Sequence, residues 1–256
     1  MTPEASGTGV SGLRRFVKRP PGAAPPSVAG VPSARIPGMP GTRSDRGDEA
    51  PGTERCEMCQ TILDERHGHL VDMDKRSIVC ACRACYLLFT HEGAAGGRYR
   101  AVPERVLVDP GRPLTDADWN ELQIPVAMAF FFYNSALDRV VAGYPSPGGA
   151  TECELDLAAW DRIAAAYPLL GALAPDVEAI FVRAGPGGTT SPEHGGTARP
   201  PVPPREVFLI PIDECYSLVG ELRMLWQGFD GGAEAHAALA RFLDSLRRRA
   251  LVLEGR

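Results

Sequence analysis

The feature that most constrains this chain is a run of cysteines between Arg55 and Phe89, which reads R-C-E-M-C-Q … S-I-V-C-A-C-R-A-C-Y-L-L-F. It holds five of the seven cysteines: Cys56, Cys59, Cys80, Cys82 and Cys85. Two C-x-x-C pairs, Cys56/Cys59 and Cys82/Cys85, are separated by 22 residues. A C-x-x-C turn directs two sulfurs at one metal ion, and a hairpin of this length returns the second pair to complete a tetrahedron. The spacing therefore predicts a metal site with Cys56, Cys59, Cys82 and Cys85 as ligands.

The residues between and after the two pairs predict a small finger. Runs of strand type at 69–73 and 77–81 are joined by Asp74-Lys75-Arg76, which indicates a hairpin. The segment from Tyr86 to Gly93 is typical of a helical turn or two closed by glycine. A knuckle, a hairpin and a second knuckle that opens a helix are the layout of a treble-clef or zinc-ribbon-like finger. Helix amides near Cys82 and Cys85 favour the charged thiolates.

Three other interpretations of the cysteines stay open beside structural zinc. Disulfides require an oxidising compartment, and no signal peptide or membrane span is visible in the sequence. A redox-active C-x-x-C does not require a second pair at finger spacing. A rubredoxin-like iron site would use the same four sulfurs, but Gln60 and Tyr86 follow the pairs here, where rubredoxin knuckles resemble C-x-x-C-G with a proline in the second. Zinc is therefore the expected metal and iron the alternative.

Four further residues near the pairs are left outside the predicted ligand set. Cys80 lies at the end of a predicted strand, two residues before Cys82. Three roles stay open for it: a buried thiol of the hairpin, a ligand in place of Cys82, or the extra sulfur of a metal cluster. His67, His69 and His91 are close by, but single histidines of this kind are more often surface or packing residues than ligands.

Composition divides the rest of the chain. Residues 1–53 carry nine prolines and few large apolar side chains, which predicts a disordered tail. Its one apolar-basic island, at 12–19, places Leu13, Phe16 and Val17 on one helical turn. The island is either an apolar patch of the tail flanked by protective charges, or a short docking motif for a partner or for the folded body. Residues 185–204 contain eleven glycines and prolines, which predicts a disordered insertion.

The remaining pattern predicts an α+β domain at 98–250, beside the four-cysteine metal finger at 54–97. We expect strands at 98–102, 124–132, 139–144, 177–182 and 206–210, and helices at 115–122, 155–167, 213–226 and 233–250. The apolar run at 124–132 is too short for a membrane and fits a central strand buried on both faces. Hairpin-linked strands and clustered helices favour a largely antiparallel sheet on which the finger packs.

The sequence offers little for catalysis, so no enzymatic activity is predicted. It has no G-x-S-x-G, H-E-x-x-H, P-loop or G-x-G-x-x-G pattern in the required context. Cys215 follows Asp213 at a predicted helix start, where a thiol pKa is lowered, but an N-capping Asp213 with a buried cysteine is the favoured interpretation. Cys153 lies between Glu152 and Glu154, and these anions make it inert.

Charge and hydropathy limit the classes of partner that the sequence predicts. The net charge is −5, and residues 54–100 carry seven acidic and seven basic side chains, so a nucleic-acid partner is not expected. No apolar run approaches the roughly 20 residues that span a bilayer. A cytoplasmic protein that binds another protein is the expectation.

Several stretches resemble an uncharacterised bacterial family. They are G-L-R-R-F-V, C-E-M-C, H-L-V-D-M, C-A-C-R-A-C-Y-L-L-F, G-G-R-Y-R and E-C-Y-S-L-V-G-E-L-R-M-L-W-Q-G-F-D-G-G, and the likeness covers roughly Cys56 to Ala250 plus the N-terminal motif. The resemblance implies genes beside those of high-affinity uptake nickel–iron (NiFe) hydrogenases, and hence a hydrogenase component or maturation factor as partner. It implies no activity that can be carried over.

Together these observations predict a cytoplasmic, non-enzymatic metal-binding accessory protein that assists assembly or maturation of a NiFe hydrogenase. Two alternatives use the same cysteines. One is an electron carrier with rubredoxin-like iron, and the other is a zinc-finger module for regulation or protein interaction.

Overall fold

The structure is a computed structural model that describes residues 54–91, 93–124, 126–183, 205–228 and 231–253. The predicted tail at 1–53 with its motif at 12–19, and the predicted insertion at 185–204, lie outside these ranges.

The cysteine-rich segment forms a small antiparallel sheet with the order β2-β1-β3. Its elements are β1 (Gly68–Asp72), β2 (Ser77–Ala81), α1 (Arg83–Leu88), a 3-10 helix (Ala94–Gly97) and β3 (Tyr99–Ala101). The predicted hairpin is present, with its first strand one residue earlier than expected. Strand β3 pairs with β1 through Leu70 and Ala101, so the small sheet extends past residue 97, where the sequence placed the end of the finger.

A compact apolar cluster holds this sheet together. Leu70, Val79 and Ala81 alternate onto one face and pack with Tyr86 and with the buried Cys56. The Tyr86 hydroxyl donates to the carbonyl oxygen of Val102 at 2.9 Å, which ties α1 to the end of β3.

The larger sheet has, within the described residues, the strand order β10-β4-β9-β8-β5-β6-β7. The strands are β4 (Leu107–Val108), β5 (Met128–Asn134), β6 (Arg139–Ser146), β7 (Gly149–Cys153), β8 (Glu178–Arg183), β9 (Glu206–Pro211) and β10 (Leu251–Val252). Neighbouring strands are antiparallel except β10 with β4. The prediction of an α+β fold with a largely antiparallel sheet is confirmed.

Helices cover both faces of this sheet. They are α2 (Asp116–Glu121), α3 (Leu157–Ala166), α4 (Pro168–Gly171), α5 (Ile212–Leu225) and α6 (Gly232–Arg249). Strand β5 shows why two cores form, because Phe130 and Phe132 pack on the α5/α6 side while Ala129 and Phe131 pack on the α2/α3 side. The prediction of a strand buried on both faces is confirmed for this element.

Some boundaries differ from the sequence-based ones. The strand expected at 124–132 begins at Met128, because Gln123 has a left-handed backbone (φ 54°) and Ile124 packs with the α2 cluster instead. Pro168, which directly follows the helix expected at 155–167, opens a further short helix, α4, at its first position. The strand expected at 139–144 extends to Ser146, and it pairs in a hairpin with β7, which was not among the expected strands.

The small sheet rests on the larger domain through apolar and charged contacts. Val71 of β1 belongs to the core beneath α5. Arg76 donates to the buried Asp176 at 3.1 Å, and His69 Nδ1 lies 2.6 Å from Asp213 Oδ2 at the start of α5. The small sheet and the larger domain therefore pack directly against each other.

None of the helices in the described ranges combines the length and the apolar composition needed to cross a lipid bilayer.

Candidate metal centre

The structure brings the four predicted ligands to one place, which we call the four-cysteine cluster. The sulfurs of Cys56, Cys59, Cys82 and Cys85 all lie within 4.8 Å of one another. The Cys59 and Cys82 sulfurs are 3.7 Å apart. Tetrahedral ligands at a Zn–S distance of about 2.3 Å are separated by about 3.8 Å. The four sulfurs are thus spaced to hold a metal ion.

The first pair is positioned by a tight turn. The Gln60 N–H donates to the Cys56 carbonyl at 2.8 Å, and Gln60 adopts a left-handed backbone with φ 65°. The Cys56 N–H donates to the Thr61 carbonyl at 2.8 Å, which closes the chain back on itself. This turn directs Cys56 inward, where it is buried, and leaves Cys59 exposed.

The second pair is positioned by the beginning of α1. Cys82 is its N-cap residue, with an extended backbone (φ −66°, ψ 161°), and the Tyr86 N–H donates to its carbonyl at 2.8 Å. Cys85 lies in the first turn. The predicted knuckle that opens a helix is therefore present, and the helix begins at Arg83.

The electrostatics of the cluster favour a bound cation. Burial raises the pKa of Cys56, but the N–H groups of Cys82, Cys59 and Met58 donate to its sulfur and lower the pKa to about 6. Burial and the neighbouring sulfurs raise the pKa of Cys85 to about 12. The Cys56 thiolate therefore forms readily, whereas Cys85 ionises only when a cation compensates its charge.

A second group of side chains that could hold a metal ion, which sequence reasoning left out, lies on the β1/β2 hairpin and just before it. One ligand atom from each of His67, His69 and Cys80 falls within 4.8 Å of the others. His69 and Cys80 are directly paired across β1 and β2, and His67 lies two residues before His69. We call these three residues the His-His-Cys cluster. His91, also left out, belongs to neither group.

The signal for this cluster was present in the hairpin. Cross-strand partners share a face, and residues two apart on a strand share a face as well. With Asp72 paired to Ser77 around the turn, His69 must lie opposite Cys80. Each residue looks ordinary alone, and only the register brings them together.

The two other cysteines lie away from both clusters. Cys215 is buried, and burial raises its pKa well above the ordinary value. The N-cap of α5 is Pro211 without a side-chain hydrogen bond, so the expected capping role of Asp213 is wrong, and its carboxylate contacts His69 instead. Burial, together with Glu152, raises the pKa of Cys153 to about 11.

Comparison with known proteins gives one match. Residues 55–250 match a family of unknown function, DUF5947. The chain belongs to this family. The DUF5947 region begins one residue before Cys56 and ends at Ala250, so it contains both clusters, the small sheet and all the strands given above for the larger sheet except β10. Because this family has no known function, it indicates no catalytic family for the chain. No curated protein and no solved structure gives a significant match.

Proposed function

We propose that this protein is a non-enzymatic accessory protein whose four-cysteine cluster holds Zn²⁺ as a structural metal, in a treble-clef-like finger. The observation that carries the proposal is the convergence of two C-x-x-C pairs at zinc-ligand spacing. Four thiolates close a tetrahedral site, so such a metal stabilises a fold and leaves no position for a substrate.

The surroundings of the cluster support a role in the fold. Cys56 packs with Leu70, Val79 and Ala81, and α1 follows directly from Cys82. A metal at this point fixes the first turn, the hairpin and α1 relative to one another. A small apolar cluster of this size gains stability from such a link.

The client we propose is a NiFe hydrogenase or one of its maturation factors, in the cytoplasm. This step rests on the resemblance of the quoted motifs to a family encoded beside high-affinity uptake hydrogenases. The island at 12–19 is the proposed docking motif, because Leu13 and Phe16 gain little in a polar, proline-rich tail unless they contact a partner.

Metal analysis of purified full-length protein tests the metal. We expect a colourless protein with zinc, and Cys82→Ser lowers the zinc content by one equivalent. Cys153→Ser is the matched control, because Cys153 lies outside both clusters. Undiminished zinc in Cys82→Ser contradicts the ligand assignment. A red iron protein replaces the zinc proposal with the rubredoxin-like electron carrier.

Co-purification tests the client. Replacing Leu13 and Phe16 by Ala should leave zinc content and melting temperature unchanged while it weakens recovery of hydrogenase components. Equal recovery with the double variant shows that the motif does not dock the client.

A further inference from the structure

We propose that the His-His-Cys cluster is a second metal site, which binds a first-row transition metal ion through His67, His69 and Cys80. It uses none of the residues of the four-cysteine cluster. The inference does not depend on the hydrogenase client or on the structural zinc proposed above.

Both imidazoles are already held in the orientation that metal-binding histidines adopt. His67 Nδ1 lies 3.0 Å from the carbonyl oxygen of Asp64, and His69 Nδ1 lies 2.6 Å from Asp213 Oδ2. A neutral imidazole that donates its Nδ1 proton to such an acceptor presents Nε2 as the nitrogen with a free lone pair. A carboxylate or carbonyl behind the distal ring nitrogen is the usual support of a histidine ligand.

His67 is the observation that points most directly to a ligand. Its side chain is only 9% exposed, and its Nε2 atom is buried without a hydrogen bond to any described residue. The exposed carboxylate of Glu54 lies 3.7 Å away, beyond hydrogen-bond distance. A buried polar atom without a partner costs free energy that a bound metal ion would recover.

The third donor is fixed from the opposite strand. The Cys80 N–H donates to Glu57 Oε1 at 3.1 Å, and the Glu57 N–H donates to the Cys80 carbonyl at 2.9 Å. Cys80 is therefore held at both backbone groups while its side chain lies on the face shared with His69. Two of the three donors, His69 and Cys80, therefore come from paired strands, and His67 lies one residue before β1 begins.

The site borders an open cleft between the small sheet and the α5/α6 layer. The cleft has a volume of about 690 Å³, and its lining includes His67, His69, Asp213 and Arg249. Three protein ligands beside an open cleft are typical of metal sites that keep a position for an exchangeable ligand. This contrasts with the closed four-cysteine cluster.

The donor types select the metal. Two imidazoles and one thiolate suit Zn²⁺, Co²⁺, Ni²⁺ or copper, and they disfavour Mg²⁺ and Ca²⁺, which require oxygen ligands. Zn²⁺ and Co²⁺ are the probes we choose, because Co²⁺ bound to thiolate gives charge-transfer and d–d absorption that reports its ligands.

The experiment measures metal stoichiometry on the full-length chain loaded with Zn²⁺ and desalted, and repeats it with Co²⁺ by absorption. We expect two metal ions per chain, one for each cluster. Cys80→Ser and His67→Gln should each remove one equivalent, while Asp213→Asn should weaken that site by about 10- to 100-fold. His91→Gln is the matched control, an exposed histidine of the same segment that belongs to neither cluster.

The outcomes separate this site from the first. Loss of one equivalent in Cys80→Ser, with a retained far-ultraviolet circular dichroism spectrum, supports the proposal even if Cys82→Ser shows no change. A wild-type protein that binds a single equivalent, lost in Cys82→Ser and kept in Cys80→Ser, overturns it. So does unchanged metal content in Cys80→Ser and His67→Gln, because the cluster is then only a packing contact between the small sheet and α5.

Discussion

Replacing Arg105 by Ala should strongly destabilise the fold, because Arg105 neutralises a carboxylate that water cannot reach. Glu178 at the start of β8 is 0% exposed. Arg105 donates two hydrogen bonds to this carboxylate, from Nε to Oε1 at 2.6 Å and from Nη2 to Oε2 at 2.7 Å. The Ala174 N–H donates to the same carboxylate at 2.9 Å. Arg105 lies between β3 and β4, so this pair anchors the segment that joins the two sheets.

The magnitude follows from the burial of the two partners. Removing one partner of a buried pair costs roughly 3–5 kcal/mol, because the other charge stays buried without compensation. Arg105 is itself 44% exposed, so water replaces part of its contribution, and we expect about 3 kcal/mol. For a domain of this size the melting temperature should fall by roughly 6–12 °C.

Urea unfolding followed by circular dichroism measures this difference, with Arg162→Ala as the control. Arg162 makes an equally short contact of 2.6 Å to Glu121, but the two side chains are 60% and 49% exposed. An exposed pair contributes less than about 1 kcal/mol. If the two variants lose the same stability, burial of the carboxylate does not determine the cost and the reasoning fails.

Two further predictions concern Gly68 and Asp118. A Cβ at Gly68 would lie 2.5 Å from Cδ2 of Tyr86, so Gly68→Ala should lower the free energy of unfolding by roughly 1–3 kcal/mol. Thermal unfolding measures this loss, and an unchanged melting temperature contradicts the close packing of Gly68 against Tyr86. Burial raises the pKa of Asp118, but hydrogen bonds from Thr115 and Tyr167 outweigh it and lower that pKa below the usual value. Asp118→Asn should therefore lower the free energy of unfolding by about 1–2 kcal/mol at pH 7. This difference from the wild type should disappear as the pH falls through the lowered pKa and Asp118 becomes protonated. A difference that persists at still lower pH contradicts the view that the charged carboxylate stabilises the fold.

The four-cysteine cluster was predictable because its information is local. Two C-x-x-C turns and the hairpin between them require no knowledge of the rest of the fold, and Cys56 meets Cys85 as the spacing indicates. The His-His-Cys cluster was harder, since it depends on a strand register that one residue of slip would destroy. His69 would then face the opposite side of the sheet from Cys80.

Long-range pairing lies beyond what spacing and periodicity reveal. Helix α2 was expected at 115–122, and in the structure its N-cap Thr115 forms a capping box with Asp118. The contacts between Arg105 and Glu178 and between His69 and Asp213 join residues far apart in the chain, and no local signal pairs them. The two-residue strands β4 and β10 were missed for the same reason, because each is defined by its partner.

The two clusters differ in when they can be completed during folding. All four cysteines lie between Cys56 and Cys85, so their convergence closes a short loop. The contact of His69 with Asp213 closes a loop about five times longer, which costs about 1.4 kcal/mol more in chain entropy. Asp213 also follows most of the large sheet in the chain, and synthesis proceeds from the N-terminus. During synthesis, the four cysteines could therefore come together before α5, whose Asp213 orients His69, has been made.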